Sequence, residues 1–253
     1  MAAGSRDLVF AADPTGGFDQ QYGVFAMAVS PDGGVAVSSQ SAFVGINGGF
    51  DQTRPGQFIG IFDNGVPRPE IDSNSQGPFA NDPATFALAF DDTGSRLYAY
   101  NSFLSSFELK REAVSERGVQ WLSSEGGLIS GYGATIRYAE GLLYSSNGWV
   151  VDPEQSVVAG RFADPWFAGT GAAVAPDPAR GRVYFATYFG ILIFDINTRV
   201  LLARLPINLG PNVFNSPQSL VRFGDDGLAF LTATGQVYLV SISAVPLLPT
   251  PPQ

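Results

Sequence analysis

One unit recurs along this chain: a short apolar strand, a tight turn built from Asp and Gly, and a second apolar strand. "MAVSPDGGVAVSS" starts at Met27, "FALAFDDTGSRLYAYNS" at Phe86, "ATIRYAEGLLYSSNG" at Ala134, "AAVAPDPARGRVYFAT" at Ala172 and "SLVRFGDDGLAFLTA" at Ser219. The offsets are 59, 48, 38 and 47 residues, a spacing that suits blades whose loops vary while their strands do not. A third strand follows each copy: "QFIGIFDNG", "SSFELKRE", "GWVVDPEQ", "GILIFDINT" and "GQVYLVSIS". A fourth is read in "SVVAGRF" and "VLLARLP", and more weakly in "VQWLSS" and "VPRPEID". The fold class expected is all-β, a β-propeller of about five four-stranded antiparallel blades. The domain covers 1–245, and the Pro-rich 246–253 forms an extended tail, because Pro withholds a backbone donor.

The turns carry the same message. Asp32, Asp91, Asp92, Asp225 and Asp226 sit beside Gly where antiparallel strands reverse, and Asp63, Asp152 and Asp195 close the third-to-fourth-strand turns. A calcium-loop glutamate at position 12 is absent from all of them. The last copy lacks a fourth strand, and "RDLVFAA" near the N-terminus is a strand without partners. One reading closes the propeller with that strand, and the rival reading makes it the start of a further blade.

Composition removes several chemistries. The chain has no Cys and no His, so thiolate and imidazole nucleophiles, a Ser-His-Asp triad and a His-based zinc site are excluded. A net charge of −9 without basic clusters argues against a nucleic-acid partner. No stretch approaches the roughly 18 apolar residues of a transmembrane helix. The N-terminal residues carry no signal-peptide core, so the expectation is either a cytosolic protein or an exported one whose leader lies before Met1.

"SPDGG", "GRVYFAT", "ILIFDINT" and "VLLARLPI" resemble the YVTN-type bacterial β-propellers, relatives of the lactonase-like propellers. "GIFDNGVPRP", "LYAYNS", "GLISGYGATIRYAEGLLYSSNGWVVDP" and "SLVRFGDDGLAFLTATGQVYLV" are similar to propeller modules of large bacterial secreted proteins, over about residues 24 to 243. The resemblance implies an extracellular or cell-surface location and a place in a larger multidomain protein. It transfers no catalytic residue. In those modules about two further blades precede the equivalent of Met27, a departure that bears on blade number.

A four-stranded meander sorts its connections. First-to-second and third-to-fourth turns share one side, and the remaining connections share the other. The longer segments, 40–57, 73–85, 123–133, 162–171 and 207–218, fall on the second side and bear Phe50, Arg54, Phe79, Asn81, Asp82, Trp166, Phe167, Asn212 and Phe214. Aromatic faces beside amides and charges suit a protein or glycan ligand. The same aromatics would also serve as packing between blades. The leading expectation is a non-enzymatic binding module without cofactor. The alternative is a lactonase-like hydrolase holding Ca or Mg in a carboxylate-lined central channel, with Asp82, Asp164 and Glu125 as candidate ligands.

Overall fold

The computed structural model describes residues 22–41, 57–63, 66–70, 87–102, 105–167, 172–210 and 215–243. They form nineteen strands in five antiparallel meanders, each ordered as in the chain. Blade 1 is β1 (Tyr22–Val29), β2 (Val35–Ser41), β3 (Gln57–Asp63) and β4 (Val66–Pro67); blade 2 is β5 (Ala87–Phe90), β6 (Arg96–Tyr100), β7 (Glu108–Ser115) and β8 (Gly118–Gly126). Blade 3 is β9 (Ile136–Ala139), β10 (Leu142–Ser145), β11 (Trp149–Asp152) and β12 (Val157–Arg161). Blade 4 is β13 (Ala173–Asp177), β14 (Arg182–Thr187), β15 (Gly190–Asp195) and β16 (Leu201–Pro206). Blade 5 has three strands, β17 (Pro217–Phe223), β18 (Gly227–Thr232) and β19 (Val237–Ser241).

The described residues therefore form a β-propeller fold of five blades, and no helix among them is long and apolar enough to cross a membrane. The "VPRPEID" strand contracts to two ladder residues in β4, where prolines limit pairing. The N-terminal "RDLVFAA" and the Pro-rich tail lie outside the described residues.

Two compact units divide the strands, one with blade 1 and most of blade 2, the other with Tyr100–Leu109 and blades 3 to 5. In the first, strand alternation turns Ala36, Ile59 and Ile61 of blade 1 onto Leu88, Phe90, Leu97 and Ala99 of blade 2. The backbone bonds Asn101 N–H to Glu108 O and Val114 N–H to Ser95 O fix the β6–β7 register. That register sets Lys110 opposite Ala99 and Glu112 opposite Leu97, and both are buried, at 5% and 0% exposure.

Lys110 is the chain's only lysine. Its ε-amine is expected to react with an amine-directed acylating reagent on the order of tenfold slower, or more, in native protein than in urea. Peptide mass mapping against the α-amine gives the rate, and native labelling as fast as in urea would contradict the burial.

The Asp residues do close turns. Asp195 accepts the N–H groups of Asn197 at 3.0 Å and Thr198 at 2.8 Å, Asp152 those of Glu154 and Gln155, and Asp91 that of Arg96. Arg68 forks onto Asp63 at 2.8 and 3.0 Å, lies 3.8 Å from Asp32 and donates to Ser115 O at 2.6 Å. It gathers on one side the first and third turns of blade 1 and the third turn of blade 2.

These bonds depress carboxyl pKa values. Arg68 donating to Asp63, Ser30 donating to Asp32 and the Thr198 N–H at Asp195 hold each below the ordinary 3.8. A depressed folded pKa gives stability that is complete above the unfolded value and lost as pH falls through the folded one. Melting temperature is thus expected to hold from pH 7 to about 5 and to fall below about 4. A Tm that stays level to pH 2.5 would show that these turns contribute no net stability.

In the second unit, Tyr144, Phe162, Val183, Phe185, Leu192 and Phe194 pack between blades 3 and 4. Tyr184, Ile191, Ile193, Leu220, Leu228 and Phe230 pack between blades 4 and 5. Alternation alone suggests that one of Tyr184 and Phe185 is buried between blades. Both are, at 0% exposure, because blade 4 has a neighbour on each face. Arg222 joins blades 4 and 5: it meets Asp177 at 2.9 Å, donates to the Gly224 and Asp225 carbonyls and lies 5.9 Å from the Tyr184 ring centre.

Candidate functional site

The connection after β12 brings Phe162, Asp164, Trp166 and Phe167 together in the second unit. Phe162 plugs the core at 1% exposure, and its N–H donates to Gly148 O at 2.8 Å. Gly148 has φ +94°, and a Cβ there would stand 2.4 Å from Phe162 O, so only glycine lets the two segments approach. Asp164 then shapes a single helical turn, Pro165–Phe167, with Oδ1 accepting the Trp166 N–H at 2.9 Å. Its Oδ2 meets Arg204 at 2.5 Å, and the carboxylate side chain is only 2% exposed.

The two aromatics of that turn divide their work. Phe167 lies edge-on to Phe185 at 4.9 Å and stacks 6.1 Å from Phe194, so it belongs to the core. Trp166 is half-buried, with its ring 6.0 Å from Phe189 and the Arg204 guanidinium 5.9 Å from its centre. Phe189 is 45% exposed on the β14–β15 turn. That turn is held by Tyr188 Oη donating to Gly210 O at 2.9 Å and Ile207 N–H to Phe189 O at 3.2 Å. Trp166, Phe189 and Arg204 thus form an aromatic–cation surface whose backbones are pinned.

A second stack stands beside it. Trp149 and Arg161 are cross-strand partners in β11–β12, and the guanidinium lies 4.6 Å over the indole centre. Among the described residues no carboxylate pairs with Arg161. An open cleft of about 390 Å³ is lined by Arg161, Phe162, Ala163, Asp164, Pro165 and Phe167.

The 123–133 connection presents Tyr132, 68% exposed, edge-on to Phe107 at 5.1 Å. Phe107 has φ +45°, a strained value for a bulky residue. Gly133 N–H to Ser102 O and Asn147 Nδ2 to Ser130 O fix the segment on both sides.

Of the expected ligand-binding residues, Trp166 and Phe167 lie in this surface, the first partly presented and the second packed inward. Phe50, Arg54, Phe79, Asn81, Asp82, Asn212 and Phe214 lie outside the described residues. Among the candidate metal ligands, Asp164 is already committed to Arg204 and the Trp166 N–H. Glu125 is exposed near the end of β8. Among the described residues no three acidic side chains gather as a ligand set.

Arg161, Trp149, Arg204 and Phe189 were not singled out from sequence. Phe189 follows a "TYFG" turn that invites notice, whereas the arginines become visible only through strand register.

No family model matches this chain, and no curated protein matches its sequence. Solved structures do match in fold. U3-55K aligns at 11% identity with a TM-score of 0.59, covering 90% of this chain and 63% of that one. The mitotic checkpoint complex aligns at 13% and 0.58, covering 90% and 64%. The hydrazine synthase of Kuenenia stuttgartiensis aligns at 13% and 0.56, covering 87% and 66%. The chain thus spans about two thirds of the length of each.

Proposed function

We propose that this protein is a non-enzymatic binding module whose ligand, a protein segment, docks on the side bearing the second-to-third-strand and inter-blade connections. One observation carries the reading: Trp166, Phe189 and Arg204 are partly presented to solvent while the backbones beneath them are tied down by hydrogen bonds. Aromatic and Arg side chains on a rigid base lose little freedom on binding and dominate interface energetics. Propellers commonly mediate protein interaction, and the mitotic checkpoint complex is one of the assemblies that this fold matches. A secreted or cell-surface bacterial setting of the YVTN type, within a larger protein, completes the proposal.

Ligands selected from a displayed peptide library test it. The double variant Trp166→Ala, Phe189→Ala is expected to weaken the selected ligands by on the order of 100-fold. Thr93→Ala, in the short β5–β6 turn, is expected to leave them unchanged. Retained binding in the double variant, with loss in the turn variant, would contradict the assignment of the face.

A further inference from the structure

We infer that the cleft beside Arg161 is a subsite for a carboxylate, supplied by a glutamate side chain of an extended peptide with apolar flanking residues. The inference rests on the binding-module reading and narrows it to a ligand class.

The charge argument comes first. Among the described residues Arg161 has no acidic partner, although the chain carries −9 overall. An exposed arginine left uncompensated in so acidic a chain offers a local attraction for anions that most of the surface repels. Its guanidinium is held by the Trp149 ring 4.6 Å away, so the planar fork is oriented before a ligand arrives. Among the described residues lining the cleft the one carboxylate is Asp164, and Arg204 neutralises it at 2.5 Å.

The chemistry of the walls selects among anions. A doubly charged phosphate favours two or more free cations. Arg204 is already paired with Asp164, and Arg161 is the one cation among the described residues that line the cleft, which suits a monoanion. Pro165 and Phe167 supply apolar lining, suited to the methylenes and flanking side chains of a peptide rather than to a hydroxyl-rich sugar. About 390 Å³ lies within the range of small-ligand clefts and admits one side chain with part of its backbone.

Three tryptophans give three indole N–H signals, Trp121, Trp149 and Trp166, with Trp121 on β8 as the internal control. The probes are acetyl-Leu-Glu-Leu-amide, its Gln counterpart and inorganic phosphate, titrated into the full chain. The Glu peptide is expected to shift Trp149 and Trp166 saturably, to leave Trp121 in place, and to bind about tenfold more tightly than the Gln peptide. Arg161→Gln should bring that ratio close to one without changing Tm, and Arg161→Lys should keep part of it.

Equal binding of the Glu and Gln peptides would overturn the carboxylate subsite while leaving the peptide-binding face intact. Phosphate competing as well as the Glu peptide would also overturn it, as would no Trp149 response up to tens of millimolar. Retention of the library-selected ligands by the Trp166→Ala, Phe189→Ala double variant would instead overturn the broader reading.

Discussion

Replacing Phe185 with Ala is expected to cost about 3–5 kcal/mol in urea unfolding followed by tryptophan fluorescence. The ring is fully buried and sits among Phe162 at 5.3 Å, Phe194 at 5.7 Å and Phe167 at 4.9 Å. Two edge-on contacts hold it, so the loss combines transfer of a large apolar surface with a cavity that β14 and β15 cannot close. Tyr184 on the opposite face gives the contrast. Its hydroxyl is buried with no hydrogen-bond partner among the described residues, so Tyr184→Phe removes an unsatisfied group and is expected to be neutral or to stabilise by about 1 kcal/mol. A cost below about 1 kcal/mol for Phe185→Ala would mean that blades 3 and 4 are not packed as described.

Gly190→Ala is expected to destabilise by about 3 kcal/mol or more, to the point of lost soluble expression. Gly190 opens β15 with φ +132°, and an added Cβ would stand 2.1 Å from Leu205 O and 2.7 Å from Ile207 N. Those atoms are backbone in and just past β16, so relief requires breaking the pairing of Gly190 with Pro206. Gly141 separates strain from contact. It has φ +85° but nothing within 4 Å of a built Cβ, so Gly141→Ala is expected to cost only about 1 kcal/mol. Similar losses at the two glycines would show that conformation, not the close approach of β16, decides the effect at Gly190.

The blades were legible because the strand–turn signal is local. Asp32, Asp91, Asp152 and Asp195 mark turns through hydrogen bonds to residues two to five positions on, so the bonding partner is visible in the same few letters. The candidate site was less legible because it depends on register. Counting back from the β11–β12 turn pairs Asp152 with Val157 and Val151 with Val158, which would set Trp149 against Gly160. The bulge between Val150 and Val151 shifts the ladder by one and brings Arg161 over the indole instead. Asp164 shows the same limit. Its sequence context, "ADPW", announces a capped turn, but Arg204 reaches it from 40 positions away.

The sequence presents Trp166 as an exposed aromatic on a long connection, and in the structure it is half-buried against the core between blades 3 and 4. A residue on a loop can serve packing and binding together when blades stand on both sides, which composition does not separate.

The most direct test of the binding face is hydrogen–deuterium exchange on the full chain, with and without a library-selected ligand. The account expects slowed exchange at 146–149, 161–167, 188–190 and 207–210, with no change at the Asp-Gly turns 31–34, 91–95 and 224–226. Protection confined to those turns, or spread evenly over every blade, would contradict it.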